Sequence, residues 1–173
     1  GIISDVGGAS LNMYKMSCEK MEKTGCCSDK RCITPSVCKN LKNSHQPQLE
    51  LLKKLRAIKG IKKIFSGSGL RFDLLLEDKS FGKKYLEELI NHHISGQLKI
   101  APEHSEEAVL KLMGKQSVDY LIIFKELFEK LYSSSNKNQY LTYYFIASHP
   151  GSGAEEAKAL KNLINNNLAG SRS

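Results

Sequence analysis

The sequence predicts an α/β fold, a partial (βα) barrel of the TIM type. It has a parallel sheet of about four strands with helices on the outside. Two observations predict this fold: short apolar runs alternate with helical patterns along the chain, and each strand-like run ends in polar or glycine residues. Because about four strands cannot close a barrel of the usual eight, the barrel is expected to be open or truncated. An irregular, Cys-rich insertion at residues 9–46 interrupts the alternation.

The predicted strands have a common feature at their carboxyl ends. They are the opening II, then KKIF, QLKIA and QYLTYYFIA, the last being rich in aromatic and apolar residues. Pro102 is expected to end the third strand, because proline cannot donate to a sheet ladder. Polar groups follow the strands at Asp5, Ser66, Glu103 and Ser148. In parallel α/β folds this end of the sheet is where ligands bind.

Apolar residues at helical spacing fill the segments between the predicted strands. Pro47 suits the start of the first such helix, which precedes Gly60. Ser105 is the expected N-cap of the helix after the third strand, and Gly114 is expected to close that helix in the left-handed conformation. Ser117 is expected to cap the next helix.

Composition places the chain among globular proteins without a membrane span. Its 173 residues are 40% apolar and 25% charged, and contain neither a long apolar run nor a signal peptide. One domain over residues 1–170 is expected in the cytoplasm, with residues 171–173 as a disordered or added tail. The chain starts in strand-like sequence without an initiator methionine, which suggests a piece of a longer protein.

The net charge of +8 allows nucleic acid or anionic small molecules as partners. Many of the basic residues fall in the run from Lys53 to Lys63. A solvated helix face explains such a run at least as well, and no aromatic residues interleave with it to stack bases.

Five cysteines lie in the insertion, and without a secretory signal a disulfide framework is not expected. The spacing from Cys27 through Cys32 to Cys38, with Cys18 upstream, suits thiolate ligands of Zn²⁺ or an iron–sulfur cluster. A soft metal would order a segment that has little core of its own. Reduced thiols packed in a loop are the alternative. Cys26 is expected to be a bystander.

Six features carry a resemblance to the YgiQ family of radical S-adenosylmethionine (radical SAM) proteins. They are the cysteine series and the stretches GIISDVGGASLNMY, SHQPQLELLKKLRAIKGIKKI, SGSGLRFDLLLED, HHISGQLKIAPEHSEEAVLKLMGK and QYLTYYFIASHPGSG. The resemblance covers nearly the whole chain. It implies a partial (βα)6 barrel, of which this chain supplies about four units. The family's C-x3-C-x2-C cluster loop is missing here, so the resemblance places the ligands of the [4Fe–4S] cluster outside this chain.

The resemblance also implies roles for single residues. Asp5 and the pair Gly7 and Gly8 match the region that contacts the methionine amino group of S-adenosylmethionine. Glu103 matches a polar residue that hydrogen-bonds the ribose, and Arg71 is expected to pair with the cofactor carboxylate. Ser148 stands near the expected adenosyl end. Cys18, Cys27, Cys32 and Cys38 are the expected ligands of a second metal.

The function implied is that of a radical SAM enzyme core. In the intact protein, a cluster reduced by an electron donor would cleave S-adenosylmethionine to a 5′-deoxyadenosyl radical, which acts on an unknown substrate. This fragment alone is expected to be inactive, because the cluster loop is absent. The alternative is a zinc-stabilised basic module that binds RNA or a protein partner.

Overall fold

The fold is described from a computed structural model, which covers residues 1–135 and 137–168. The expected tail at residues 171–173 lies outside this range. No helix in the described part of the chain is long and apolar enough to cross a membrane.

Strands and helices alternate along most of the chain. The strands are β1 (Ile2–Ile3), β2 (Ser17–Cys18), β3 (Leu41–Lys42), β4 (Lys63–Ile64), β5 (Gln97–Glu103) and β6 (Tyr140–Phe145). The helices are α1 (Glu19–Thr24), α2 (Gln46–Arg56), α3 (Phe72–Glu77), α4 (Gly82–Glu88), α5 (Glu107–Met113), α6 (Val118–Tyr132) and α7 (Ala154–Leu163). A π-helical turn extends α4 over Leu89–His93, and another extends α7 over Ile164–Leu168.

The α/β class is confirmed, and four of its strands pair in parallel. β1 pairs in parallel with β4, and β5 pairs in parallel with β6. A single parallel bridge joins Ile100 of β5 to Leu70, which lies six residues after the end of β4. The structure thus has two short parallel sheets in place of the predicted single sheet of about four strands.

The hydrophobic core lies between the strands and the helices that follow them. Alternate residues of β5, Leu98 and Ile100, are fully buried and face this layer. The helical side chains packed there include Leu52, Leu74, Leu75, Tyr85, Leu86, Leu89, Leu121 and Phe124. This packing holds the strands in position. Polar side chains lie at the carboxyl ends of the strands, outside the core.

Several predicted helix boundaries are confirmed. Ser117 caps α6, with its hydroxyl accepting a hydrogen bond from the Asp119 amide. Gly114 follows α5 with a left-handed backbone, at φ 71°. Pro47 lies in the first turn of α2.

Two predictions at the end of β5 are wrong. Pro102 does not end this strand, which continues to Glu103. An irregular register between Ile100 and Glu103 accommodates the missing proline donor, because prolines are tolerated at bulges. The N-cap of α5 is Glu106, since the backbone first turns helical at Glu107, two residues after Ser105.

The Cys-rich segment, residues 9–46, is less irregular than expected. Within it, β2 and β3 form an antiparallel pair, with Cys18 opposite Leu41, and the short helix α1 follows β2 directly. Helix α3 was also not predicted from the periodicity, because its six residues are too few to show a helical repeat.

Candidate functional site

Asp5 joins the carboxyl ends of the first two parallel strands. Its carboxylate accepts hydrogen bonds from the Gly67 amide at 2.8 Å and from the Ser68 hydroxyl at 2.6 Å. Partial burial raises the pKa of Asp5, but these hydrogen bonds and the charge of Lys99 outweigh it and lower the pKa overall. Asp5 is therefore a fixed negative charge at neutral pH.

The two predicted glycines behave differently. A side chain at Gly7 would meet the Ser68 hydroxyl at 2.5 Å, so Gly7 is required by packing. A side chain at Gly8 would meet nothing within 4 Å. Both glycines line an open cavity of about 420 Å³, together with Tyr14 and Gln48. Gly8 thus presents bare backbone to a cavity large enough for a small molecule.

Glu103 and Ser148 follow neighbouring strands, and both have unusual backbone conformations. Glu103 has φ 72° and Ser148 has φ 59°, the left-handed region that side chains other than glycine rarely adopt. The carbonyl of Glu103 accepts a hydrogen bond from the Ile146 amide at 2.8 Å, which places the two strand ends side by side. The half-buried carboxylate of Glu103 pairs with Lys115 at 3.1 Å.

Arg71 lines a different cavity from Gly7 and Gly8. Its guanidinium donates two hydrogen bonds to Asp73, one of them at 3.0 Å. It lines a cavity of only about 30 Å³, which holds no more than a water molecule or two. Lys115 lines the same cavity, so the Glu103 ion pair borders it. The structure does not bring Arg71 into one open cavity with Gly8.

His104 is a site residue that the prediction of ligand-binding residues omitted. It is buried and lines both the Arg71 cavity and a cavity of about 510 Å³ that contains Ser148. Its Nδ1 accepts from the Glu106 amide at 3.1 Å, so Nε2 carries the proton and donates to Ser152 at 3.0 Å. The sequence feature that could have identified His104 is its position directly after Glu103, at the end of a strand.

A buried polar network fixes the backbone of Arg71. Asn12 accepts from the Arg71 amide at 2.8 Å and donates to the Arg71 carbonyl at 2.9 Å. The same Asn12 amide nitrogen donates to Nε2 of His45 at 2.9 Å, so His45 is neutral with its proton on Nδ1. That proton is donated to Asp78 at 2.9 Å. Burial lowers the pKa of His45, and the hydrogen bond to Asp78 offsets this only in part.

The five cysteines are all unpaired and line one cavity of about 120 Å³. Burial raises the pKa of the Cys32 thiol, and the neighbouring thiols of Cys18, Cys38, Cys27 and Cys26 raise it further. Among residues 1–135 and 137–168, no three His, Cys, Asp or Glu side chains are already arranged to hold a metal ion. The thiols are neighbours around one cavity without forming a closed ligand sphere.

Basic residues gather around another cavity, of about 270 Å³. Arg56, Lys62, Lys63, His92 and Lys137 line it. Partial burial and the charge of Lys63 lower the pKa of Lys137. Arg56 is already neutralised in part by Glu88 at 2.8 Å. This cavity opens beside the start of β4 and has the charge to attract an anion.

Fold and site together define an α/β chain with polar residues gathered at the carboxyl ends of parallel strands. The chain is similar to several proteins named UPF0313. The relative from Fusobacterium nucleatum is 49% identical over 168 residues, which is 97% of this chain and 30% of the relative. The relative from Methanosarcina acetivorans is 47% identical over 151 residues, covering 87% of this chain and 20% of that protein. The relative from Pseudomonas putida is 43% identical over 156 residues, covering 90% and 20%.

This chain therefore spans between 20% and 30% of the length of these relatives. No family model matches it. No solved structure matches it either.

Proposed function

We propose that this chain is the central part of a radical SAM enzyme core. In this proposal the parallel strands belong to a partial (βα) barrel, and their carboxyl ends hold S-adenosylmethionine. The ligands of the radical-generating [4Fe–4S] cluster lie outside the chain. Support comes from the resemblance to the YgiQ family, from the similarity to UPF0313 proteins, and from the parallel strand order.

The observation that carries the proposal is the left-handed backbone at Glu103 and Ser148. Each such conformation costs about 1–2 kcal/mol in a residue with a side chain. Two of them stand at adjacent strand ends, beside the buried His104 and a cavity of about 510 Å³. Strained backbone persists where the surrounding structure holds it, and it concentrates at functional sites.

Separate residues suit separate parts of the cofactor, although Gly8 and Ser148 line different cavities. Asp5, three positions before Gly8, supplies a negative charge, and Gly8 supplies an open backbone; both features suit a positively charged amino group. The Glu103 carboxylate can accept hydrogen bonds from a ribose diol. Ser148 lines a cavity of a size that accommodates a nucleoside.

Arg71 fits its expected role less well, because Asp73 engages its guanidinium and its cavity holds only about 30 Å³.

When bound by residues outside this chain, the reduced cluster would supply one electron for the cleavage of S-adenosylmethionine to methionine and a 5′-deoxyadenosyl radical, which would take hydrogen from a substrate still to be identified. The residues of this chain bind and orient the cofactor for that step. An electron donor is a required partner of the intact protein.

The test uses the intact protein, reconstituted anaerobically with iron and sulfide and then reduced in the presence of S-adenosylmethionine. Formation of 5′-deoxyadenosine is expected. Glu103→Gln should lower it strongly, while Glu126→Gln, at an exposed position of α6, should leave it unchanged. No 5′-deoxyadenosine from a protein with an intact cluster would refute the proposal.

The basic cavity favours a second candidate function, the binding of RNA. Its lysines and arginine could contact phosphates, and such binding weakens steeply with salt. Anisotropy of labelled single-stranded RNA, measured across a range of salt concentrations, tests it. Lys62→Gln should weaken binding and flatten the salt dependence, while Lys130→Gln on α6 should not. Salt-insensitive binding, or none, would remove this candidate.

A further inference from the structure

The cavity lined by cysteines is the feature that the proposed function leaves unexplained. Cys18, Cys26, Cys27, Cys32 and Cys38 all line it, although they are spread over 21 positions of sequence. A radical SAM core whose cluster ligands lie elsewhere in the protein has no use for these thiols. Their convergence therefore requires a separate explanation.

Backbone contacts hold three of the cysteines around this cavity. Cys18 stands opposite Leu41 in the β2–β3 pair. The Leu41 amide donates to the Cys38 carbonyl at 3.0 Å, and the Cys38 amide donates to the Cys32 carbonyl at 2.7 Å. A continuous set of main-chain contacts thus links Cys18, Cys38 and Cys32, so their grouping is a property of the fold.

The segment around these cysteines lacks a hydrophobic core. Between α1 and β3, no side chain of residues 25–40 is buried. Cys18 is the buried residue of the cysteine set, and the others are half-buried or exposed. A connection of this length that lacks apolar packing is uncommon in a compact domain unless something else orders it. A bound metal is the usual substitute for a core in such segments.

The charges around the cavity suit a metal held by thiolates. Four thiolates and one divalent ion carry a net charge of minus two. Lys20, Lys30 and Arg31 line the same cavity, and their positive charges compensate it.

We propose that Cys18, Cys27, Cys32 and Cys38 bind one thiophilic divalent ion, Zn²⁺, as a tetrahedral four-thiolate site. Binding releases the four thiol protons and draws the sulfurs inward, because they are not already arranged as a ligand sphere. Cys26 is excluded as a ligand. It precedes Cys27 directly, so that one of the two adjacent side chains points away from the ion.

The experiment measures metal binding, without any need for enzymatic activity. The reduced chain is stripped of metal with a chelator and titrated with Co²⁺ under anaerobic conditions. Intense ligand-field bands and a thiolate charge-transfer band should appear at one Co²⁺ per chain, and Zn²⁺ should displace them. Elemental analysis of the chain purified with zinc should give one equivalent.

Single Cys→Ser variants assign the ligands. Substitution at Cys18, Cys27, Cys32 or Cys38 should weaken Co²⁺ binding by roughly tenfold or more, because each removes a direct ligand. Cys26→Ser is the matched control and should bind as the natural chain does. Absence of the thiolate bands in a fully reduced chain would overturn the proposal. So would an equal loss in Cys26→Ser, and acid-labile sulfide at these cysteines would overturn the zinc assignment.

Discussion

Replacing Glu103 separates the strain of its backbone from the function of its carboxylate. Glu103→Ala keeps the left-handed backbone and loses the ion pair with Lys115, which is partly exposed and contributes about 0.5–1 kcal/mol. Glu103→Gly loses the same ion pair but relieves about 1–2 kcal/mol of backbone strain. Glycine also has more conformational freedom in the unfolded chain, and this lowers the stability of the glycine variant by about 0.5–1 kcal/mol. The glycine variant should therefore be the more stable of the two, by about 0.5–1 kcal/mol.

Equilibrium urea unfolding followed by far-ultraviolet circular dichroism measures this difference, since the chain has no tryptophan to report by fluorescence. Ala101→Gly in the same strand is the matched control. It should be destabilising by about 0.5–1 kcal/mol, because no positive φ occurs there. The reasoning requires glycine to be favourable at position 103 and unfavourable at position 101. Equal stability of Glu103→Gly and Glu103→Ala would refute the presence of strain at this strand end.

Three further predictions concern stability. The neutral, buried His45 has a pKa below its usual 6.5, so the unfolded chain binds more protons and stability should fall as pH drops below about 6.5. His45→Gln should reduce that slope in pH-dependent unfolding, and His92→Gln, at a less buried site, should reduce it less. Gly114→Ala should cost more than Gly60→Ala in urea unfolding. Both have positive φ, but only at position 114 must a methyl group displace another side chain, the guanidinium of Arg31. Tyr85→Phe should raise the melting temperature, because the buried hydroxyl has no hydrogen-bond partner among the described residues and its removal ends a desolvation penalty of about 1–3 kcal/mol.

Local signals in the sequence predicted much of the fold. The α6 helix combines a serine cap with a sustained apolar stripe over 15 residues, and both are confirmed. Gly114 is confirmed as a left-handed cap because the glycine directly follows the periodic residues. The parallel strand order followed from the alternation of strand and helix. These features depend on residues close together in the sequence.

Features that depend on distant contacts could not be predicted in this way. Lys115 pairs with Glu103 across 12 positions of sequence, and nothing in the spacing indicates it. Arg71 was expected to bind a ligand, yet it lines a cavity of only about 30 Å³, which residues as distant in sequence as Ala101 and Val118 help to enclose. Pro102 lies within a strand because the register becomes irregular there, and register is set by the partner strand.

The Cys-rich segment contacts the loop at residues 114–116, which lies next to the candidate site. Thr34 donates to the Gly114 carbonyl at 2.6 Å, Gln116 donates to the Ile33 carbonyl, and Arg31 covers Gly114. The loop held at both sides by these contacts carries Lys115, the partner of the Glu103 carboxylate. A metal that orders the cysteines would also order residues 31–34, since these lie between Cys27 and Cys38. We therefore expect Zn²⁺ to raise hydrogen-exchange protection of residues 114–116 as well as of the cysteine loop. Protection confined to the cysteine loop would show that the two sites are independent.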